Sequence, residues 1–309
     1  MQTLSLAHQT PYEWDAILRF FEARAVPGVE LVEAGRYLRT ISLGPRDEQA
    51  HGVLAVEREG EASLKLTVYG ASKAALTVIA ARVRQVFDLD ADPSSIAAQL
   101  AQDPVLAPLV AKHPGLRVPG AWDGFELAIR GILGQQITVV GATKLAGQLV
   151  ALYGEPLAPT LHTALTHVFP PPARLAVSDL SMLGMPGARR AALTSIALSA
   201  AADPRLFTRA ETLEASVSKL RALPGIGEWT AQYIAMRALG EPDAFLAADV
   251  GLHRALARPD GSRPTAKQVL AMAEAWRPYR AYAALHLWTS LNHAPPKAVL
   301  AKAAPKKRA

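Results

Sequence analysis

Cysteine is missing from all 309 residues of the chain. Its absence excludes disulfide frameworks, thiolate zinc sites, iron–sulfur clusters and cysteine nucleophiles. No stretch approaches the roughly eighteen consecutive apolar residues that a membrane-spanning helix takes. The start, MQTLSLAHQTPYEW, has no basic segment followed by an apolar one, so a soluble, unexported, cytoplasmic protein is expected. Neither GxGxxG nor GxxxxGK[ST] occurs, which leaves a nucleotide cofactor without an anchor. Eight histidines are scattered with no HxxxH or HExxH pair, and a metal hydrolase is disfavoured for that reason. His286, two residues before Trp288, reads as a packed or capping side chain. Aromatic residues are only 6% of the chain, so where they gather is informative.

Half of the sequence is apolar, enough for a sizeable core and for two or three packed units. Lys and Arg number 33 against 27 Asp and Glu, a net charge of +6. That excess lies mostly in residues 291–309, which hold Lys297, Lys302, Lys306, Lys307 and Arg308 and no acid, leaving about +1 for the rest. Net charge alone therefore does not argue for a nucleic-acid partner.

The first 98 residues differ in pattern from the rest of the chain. Trp14, Ile17, Leu18 and Phe21 fall at helical spacing within residues 12–25, and Pro27-Gly28 stops that helix. The alternating stretches RYLRTISL, GVLAVER and SLKLTVY predict antiparallel strands with one wet face. Residues 73–87 form a second amphipathic helix, so residues 1–98 are expected to be a small α+β domain. Beyond it the chain is Ala- and Leu-rich, with helices expected near 96–102, 121–133, 138–153, 189–201, 212–222, 228–239, 251–257, 265–275 and 281–291. Residues 158–175 read as a loop and 294–309 as an unstructured basic tail. No repeat period is present, and compact helical packing is favoured over a solenoid.

The chemistry concentrates in residues 212–256. A helix runs into Leu223-Pro224-Gly225-Ile226-Gly227 and another begins at Glu228, so the two glycines permit a tight hairpin with Ile226 turned inward. Backbone N–H groups of residues 225–228 are then expected to face outward at a helix N-terminus, a seat for an anion such as a DNA phosphate, without sequence readout. An ordinary helix connection would look the same. Trp229 and Tyr233 share one helical face, as core or as the wall of a cleft, and PDAFLAAD then delivers Asp249 to the start of the next helix. Asp249 is a candidate carboxylate for chemistry or simply a helix cap.

Together these residues resemble the helix-hairpin-helix superfamily of DNA base-excision glycosylases, in which LPGIG-x-W-T-A is followed by Asp-x-Phe, here Asp243-Ala244-Phe245, and then by a catalytic aspartate. Residues 114–154, 180–193 and 276–288 are similar to the bacterial 3-methyladenine DNA glycosylase II type, as is the N-terminal TPYEWDAILRFFEARAVPGVE, so the resemblance spans about residues 3–293. It implies a mostly α fold with an N-terminal α+β domain, in which two helical subdomains, residues 99–120 with 242–293 and residues 121–241, accompany the small antiparallel sheet domain. Asp249 would be the catalytic aspartate, Trp229, Tyr233 and Trp288 the walls of the base pocket, and Gln135 and Gln136 the loop entering the gap left by the extruded base. Leu223, Pro224, Gly225, Ile226 and Gly227 would clamp a phosphate. No cofactor is required, although backbone carbonyls of Arg221, Leu223 and Ile226 would hold a structural Na+ or K+ when DNA is bound.

The sequence departs from the family pattern at Gln136, where some members carry an apolar wedge, at Ala248, where a second Asp can occur, and at Tyr279, where Trp is commoner. Strand-cleaving members carry a Lys at the position of Trp229 to form a Schiff base. Members of the endonuclease III type carry a four-cysteine iron–sulfur loop. Neither feature is here, so a monofunctional glycosylase is implied, acting as a nucleoid-associated monomer on double-stranded DNA with alkylated bases such as 3-methyladenine and 7-methylguanine. The rival expectation is a non-catalytic hairpin protein that binds DNA damage, with Asp249 a mere cap.

Overall fold

A computed structural model describes residues 1–42, 51–157 and 162–292. The N-terminal unit comprises β1 (Gln2–Ala7), α1 (Trp14–Glu22), β2 (Glu30–Glu33), β3 (Arg36–Ser42), β4 (His51–Arg58), β5 (Ser63–Tyr69) and α2 (Ala75–Val86). Its strands are antiparallel throughout, in the order β1-β5-β4-β3-β2. Ala34 (φ 48°) and Gly35 (φ 72°) close the β2–β3 hairpin, both in the left-handed region that a two-residue turn of the type matching strand twist demands. Tyr37, Leu54, Leu64 and Leu66 pack with Trp14, Ile17 and Phe21 of α1 and with Ile79 and Val83 of α2.

One wet face was the expectation for these strands, and β3 and β4 overturn it, because the five central residues of β3 are all buried. Leu38, Val53 and Ala55 on the second face are covered by Leu165, and Thr40 Oγ1 donates to the carbonyl of His167 at 2.8 Å. A segment more than a hundred residues downstream supplies that cover, so alternation within the strands could not reveal it.

The rest is helical: α3 (Pro93–Leu100), α4 (Ala107–Lys112), α5 (Gly124–Leu133) and α6 (Val139–Tyr153), then the short pair β6 (Glu155–Pro156) and β7 (His167–Val168). After these come α7 (Pro172–Ala176), α8 (Gly187–Ala202), α9 (Leu213–Arg221), α10 (Glu228–Arg237), α11 (Val250–Ala255), α12 (Ala266–Ala273) and α13 (Arg280–Asn292). Most helices begin near their expected positions because an oxygen-bearing side chain caps them: Asp123, Thr138, Thr212, Asp249 and Thr265 each accept an N–H from the first turn. Helix α4, helix α7 and strand β7 were not foreseen; they are too short to show a period, and β7 and the start of α7 fall within the expected loop. The expected tail, 294–309, lies outside the described residues.

One buried apolar cluster runs through the helices, and it includes Ile96 and Leu100 of α3. Among the described residues the buried sheet core ends earlier, at Leu89, joined further on by Trp122. Apolar packing thus passes from one cluster to the other between Leu89 and Ile96. Residues 99–120 are tied to the C-terminal helices by Trp276, whose fully buried indole donates to Asp103 Oδ2 at 2.8 Å.

The two cores meet through charge. Arg39 of β3 donates to Glu126 of α5 at 2.8 Å, and Arg130 of α5 reaches Glu30 at 2.9 Å and Glu126 at 3.0 Å. Tyr37 adds its hydroxyl to Glu30 at 2.6 Å. Glu30, Arg39 and Glu126 are all buried, so each charge depends on its partner across the boundary.

Candidate active site

Helices α9 and α10 form the expected hairpin. Leu223 and Ile226 are buried, while Pro224, Gly225 and Gly227 face solvent. Gly225 sits at φ +81°, and a Cβ there would lie 2.6 Å from the Cβ of Ala192, so both backbone and space demand glycine. Gly227 is the N-cap of α10 at φ −84°, with open space around its Cα and no side chain capping the helix. Not every N–H of the turn is available as expected, because that of Ile226 is spent on the Leu223 carbonyl at 3.1 Å. Glu228 stands at the rim and is neutralised by Arg221 at 3.1 Å. The carbonyls of Arg221, Leu223 and Ile226 are neutral oxygen donors of the kind an alkali cation takes, and Leu223 keeps one lone pair after accepting the Ile226 N–H.

Asp249 is the point on which the aromatic side chains converge. Its Oδ1 accepts the Leu252 N–H at 3.0 Å, which caps α11, and also the indole N–H of Trp288 at 2.9 Å. The other oxygen, Oδ2, accepts the indole N–H of Trp229 at 3.0 Å. Asp249 thus caps α11 and holds two indoles at once, half-buried, with spare acceptor capacity on Oδ2.

Tyr233 stacks on Trp229, ring centroids 5.1 Å apart and planes 17° apart. Its oxygen accepts from Arg237 at 2.7 Å, and Arg237 is itself anchored on the carbonyls of Pro119 and Gly120. Burial pushes the Tyr233 phenol up, but Arg237, Arg24 and Arg130 outweigh it and leave the phenol below its usual range.

Gln135 and Gln136 lie between α5 and α6 and differ in kind. The Gln135 amide donates to the Gly225 carbonyl at 3.0 Å, tying this loop to the hairpin. Gln136 is exposed, at φ +61°, and its side chain makes no hydrogen bond among the described residues. A pocket of about 200 Å³ lined by Asp88, Met236, Arg237 and Tyr282 does not include Asp249.

Known proteins share this arrangement of sequence and fold. Residues 3–123 match the family model described as the AlkA N-terminal domain. The Escherichia coli K12 protein named DNA-3-methyladenine glycosylase 2 is 34% identical over 297 residues, which cover 95% of this chain and 99% of that one. The chain belongs to the DNA-3-methyladenine glycosylase 2 (AlkA) family. A Mycobacterium tuberculosis "probable bifunctional transcriptional activator/DNA repair enzyme AlkA" is 38% identical over 292 residues, and the chain spans 57% of its length. Among solved structures, the 3-methyladenine DNA-glycosylase of Archaeoglobus fulgidus superposes with a TM-score of 0.80 at 21% identity, covering 94% of this chain and 98% of that one. A Clostridium acetobutylicum 8-oxoguanine glycosylase/lyase in complex with DNA superposes at 0.70 with 17% identity, covering 91% and 92%, which speaks for the helix-hairpin-helix glycosylase fold.

In this AlkA-family chain the supporting residues were the ones sequence left out. Gly251 is one, since a Cβ there would come within 2.8 Å of Asp249 Oδ1 and 3.1 Å of the Trp288 ring. Another is Arg280, which binds Asp243 through Nε at 2.8 Å and Nη2 at 2.9 Å, with Arg277 on the same carboxylate, so α13 and its Trp288 are pinned to the loop that carries Asp249. A glycine two residues after a capping Asp was a visible signal. Arg280 and Asp243, 37 residues apart, gave none. His286 is packed, as expected: burial, with His113 adding to it, pushes its imidazole down to about 4. Among the described residues no group of three His, Asp or Glu could hold a metal, and no helix is long and apolar enough to cross a membrane.

Proposed function

We propose that this chain hydrolyses the N-glycosidic bond of alkylated bases in double-stranded DNA after turning the base out of the helix, and leaves an abasic site without cutting the strand. The observation that carries the reading is the Asp249 carboxylate held on both oxygens by the indoles of Trp229 and Trp288. Breaking the glycosidic bond builds positive charge on the deoxyribose, and an oriented, ionised carboxylate offsets that charge as it develops. Asp249 would also accept a proton from the attacking water on Oδ2, the oxygen with capacity to spare. Alkylation at a ring nitrogen makes a purine cationic, and the faces of Trp229, Tyr233 and Trp288 attract a cation without reading hydrogen-bond patterns. Broad acceptance of 3-methyladenine, 7-methylguanine and related lesions is the consequence.

No amine stands where a Schiff base would form, because Trp229 holds that position. The open end of α10 at Gly227 receives a phosphate, and Na+ or K+ on the carbonyls of Arg221, Leu223 and Ile226 would add positive charge beside it; no other cofactor is called for. A monomer bound to the nucleoid is the form in which we expect it to act.

The test is incubation of the purified chain with methylated duplex DNA, identification of the free bases released, and a check for strand breaks before and after heating in alkali. Release of 3-methyladenine and 7-methylguanine, with breaks only after alkali, is the expected result. Tight binding to the same DNA with no free base would favour the damage-binding alternative.

A further inference from the structure

Gln136 occupies a conformation that its own side chain does not favour. At φ +61° it lies in the left-handed region, where a residue with a Cβ is disfavoured, and the amide it would carry into a DNA gap has no hydrogen-bond partner among the described residues. The loop's own backbone bonds are few: Gln135 N–H to Ile132 at 3.2 Å and Ile137 N–H to Gly134 at 3.4 Å. Two other tethers act on the residue just before it. The Gln135 side chain donates to Gly225, and Arg189 Nη2, from the first turn of α8, donates to the Gln135 carbonyl at 2.9 Å.

The second tether falls on the peptide that joins Gln135 to Gln136. Fixing its oxygen fixes the plane of that peptide, one of the two peptide planes that flank the Cα of Gln136; the Ile137 N–H bond to Gly134 holds the other, so together they restrict the backbone rotations at Gln136. The donor is cationic, which makes this a strong hydrogen bond of its kind. Arg189 is half-buried, and among the described residues its guanidinium forms no ion pair and hydrogen-bonds to this one carbonyl.

We infer that Arg189 is a positioning residue for base extrusion: its guanidinium, 2.9 Å from the Gln135 carbonyl, holds Gln136 in the left-handed conformation from which its amide enters the gap. The inference rests on the glycosylase reading. Gln135 and Gln136 then divide the work, the first anchoring the loop to the phosphate hairpin and the second filling the space that the base vacates. Arg189 touches neither base nor sugar, and it acts through the backbone.

The experiment compares wild type, Arg189→Ala, Arg189→Lys, Gln136→Gly and the double variant Arg189→Ala/Gln136→Gly on methylated duplex DNA. Base release is measured in single turnover at saturating enzyme, affinity in a separate titration, and folding by thermal melting. For Arg189→Ala we expect release about tenfold slower, the scale of one hydrogen bond to a charged group, with affinity changed less than about threefold. Arg189→Lys keeps a cationic donor and should recover most of the rate. Glycine adopts a positive φ unaided, so in the Gln136→Gly background removal of Arg189 should cost nothing more. Release at the full rate from Arg189→Ala, with or without weaker binding, would make Arg189 only a phosphate-facing cation and overturn the inference. Fully additive losses in the double variant would overturn it too. A wild type that releases no base defeats the glycosylase reading beneath it, an outcome that differs visibly from a wild type and Arg189→Ala that release equally fast.

Discussion

Replacing the Asp249 carboxylate by an amide separates the cap that this side chain provides from the catalytic role proposed for it. Asp249→Asn keeps one carbonyl-type oxygen for the Leu252 N–H, so α11 stays capped, but its NH₂ group cannot accept from an indole and the charge is gone. The variant should fold and bind lesion-containing duplex, and release 3-methyladenine at least roughly a hundredfold more slowly in single turnover. Release near the wild-type rate would leave Asp249 only its role as a cap. Sequence made Asp249, Trp229 and Tyr233 legible because they fall in one contiguous motif with fixed spacing, whereas Trp288, 39 residues beyond Asp249, was reached only through the family resemblance. The arginines behind them were not, since Arg237 answers to Pro119 and Gly120, and Arg280 to Asp243, across separations that no local pattern records.

At the scale of the hairpin, its two glycines should behave differently although they are only two residues apart. Gly225→Ala forces a Cβ onto a left-handed backbone and into Ala192, and should lower stability by about 2 kcal/mol or more, seen as a drop in melting temperature. Gly227→Val meets open space at φ −84° and gives up only the N-cap preference for glycine, so the protein should fold with a modest drop in melting temperature, yet its affinity for damaged and undamaged duplexes should fall alike because the branched side chain crowds the approach to the first turn of α10. Full affinity in a folded Gly227→Val would reduce the turn to a structural connection. The hairpin was readable from its Gly-Ile-Gly pattern, but which glycine carries the strained backbone was not, because that depends on how close α8 comes. The buried second face of the sheet was equally out of reach, its cover being supplied by Leu165, just ahead of β7 and far along the chain.

Across the whole molecule, pH should act through Asp88, which lies where the sheet unit meets the helices and accepts from the hydroxyl of Tyr282 at 2.8 Å and the N–H of Val118 at 3.1 Å on the same oxygen. Burial pushes its carboxyl up to about 6. Between the ordinary carboxylate range and about 6 the folded protein therefore binds more protons than the unfolded chain, and this group's contribution to stability falls as pH rises through that window. Asp88→Asn retains the accepting oxygen and tolerates the positive φ of 52° at this position. It should stabilise the protein by about 1–2 kcal/mol at pH 7.5 and by about half as much at pH 5, measured by denaturant unfolding at both pH values. His286 works in the opposite direction: its depressed value makes the native state lose stability as pH falls from the ordinary histidine range towards about 4. An equal gain from Asp88→Asn at both pH values would show that the carboxyl is not the group responsible.

The charged seam between the sheet unit and α5 restricts how the sequence can diverge. Apolar contacts tolerate drift, since one aliphatic residue can stand in for another at small cost. Arg39, Glu126, Arg130 and Glu30 cannot change singly in that way, because the loss of any one strands a buried opposite charge. Relatives that depart from this seam should do so at two or more of the four positions together, and a domain transplanted from a relative should dock only if its half of the set arrives with it.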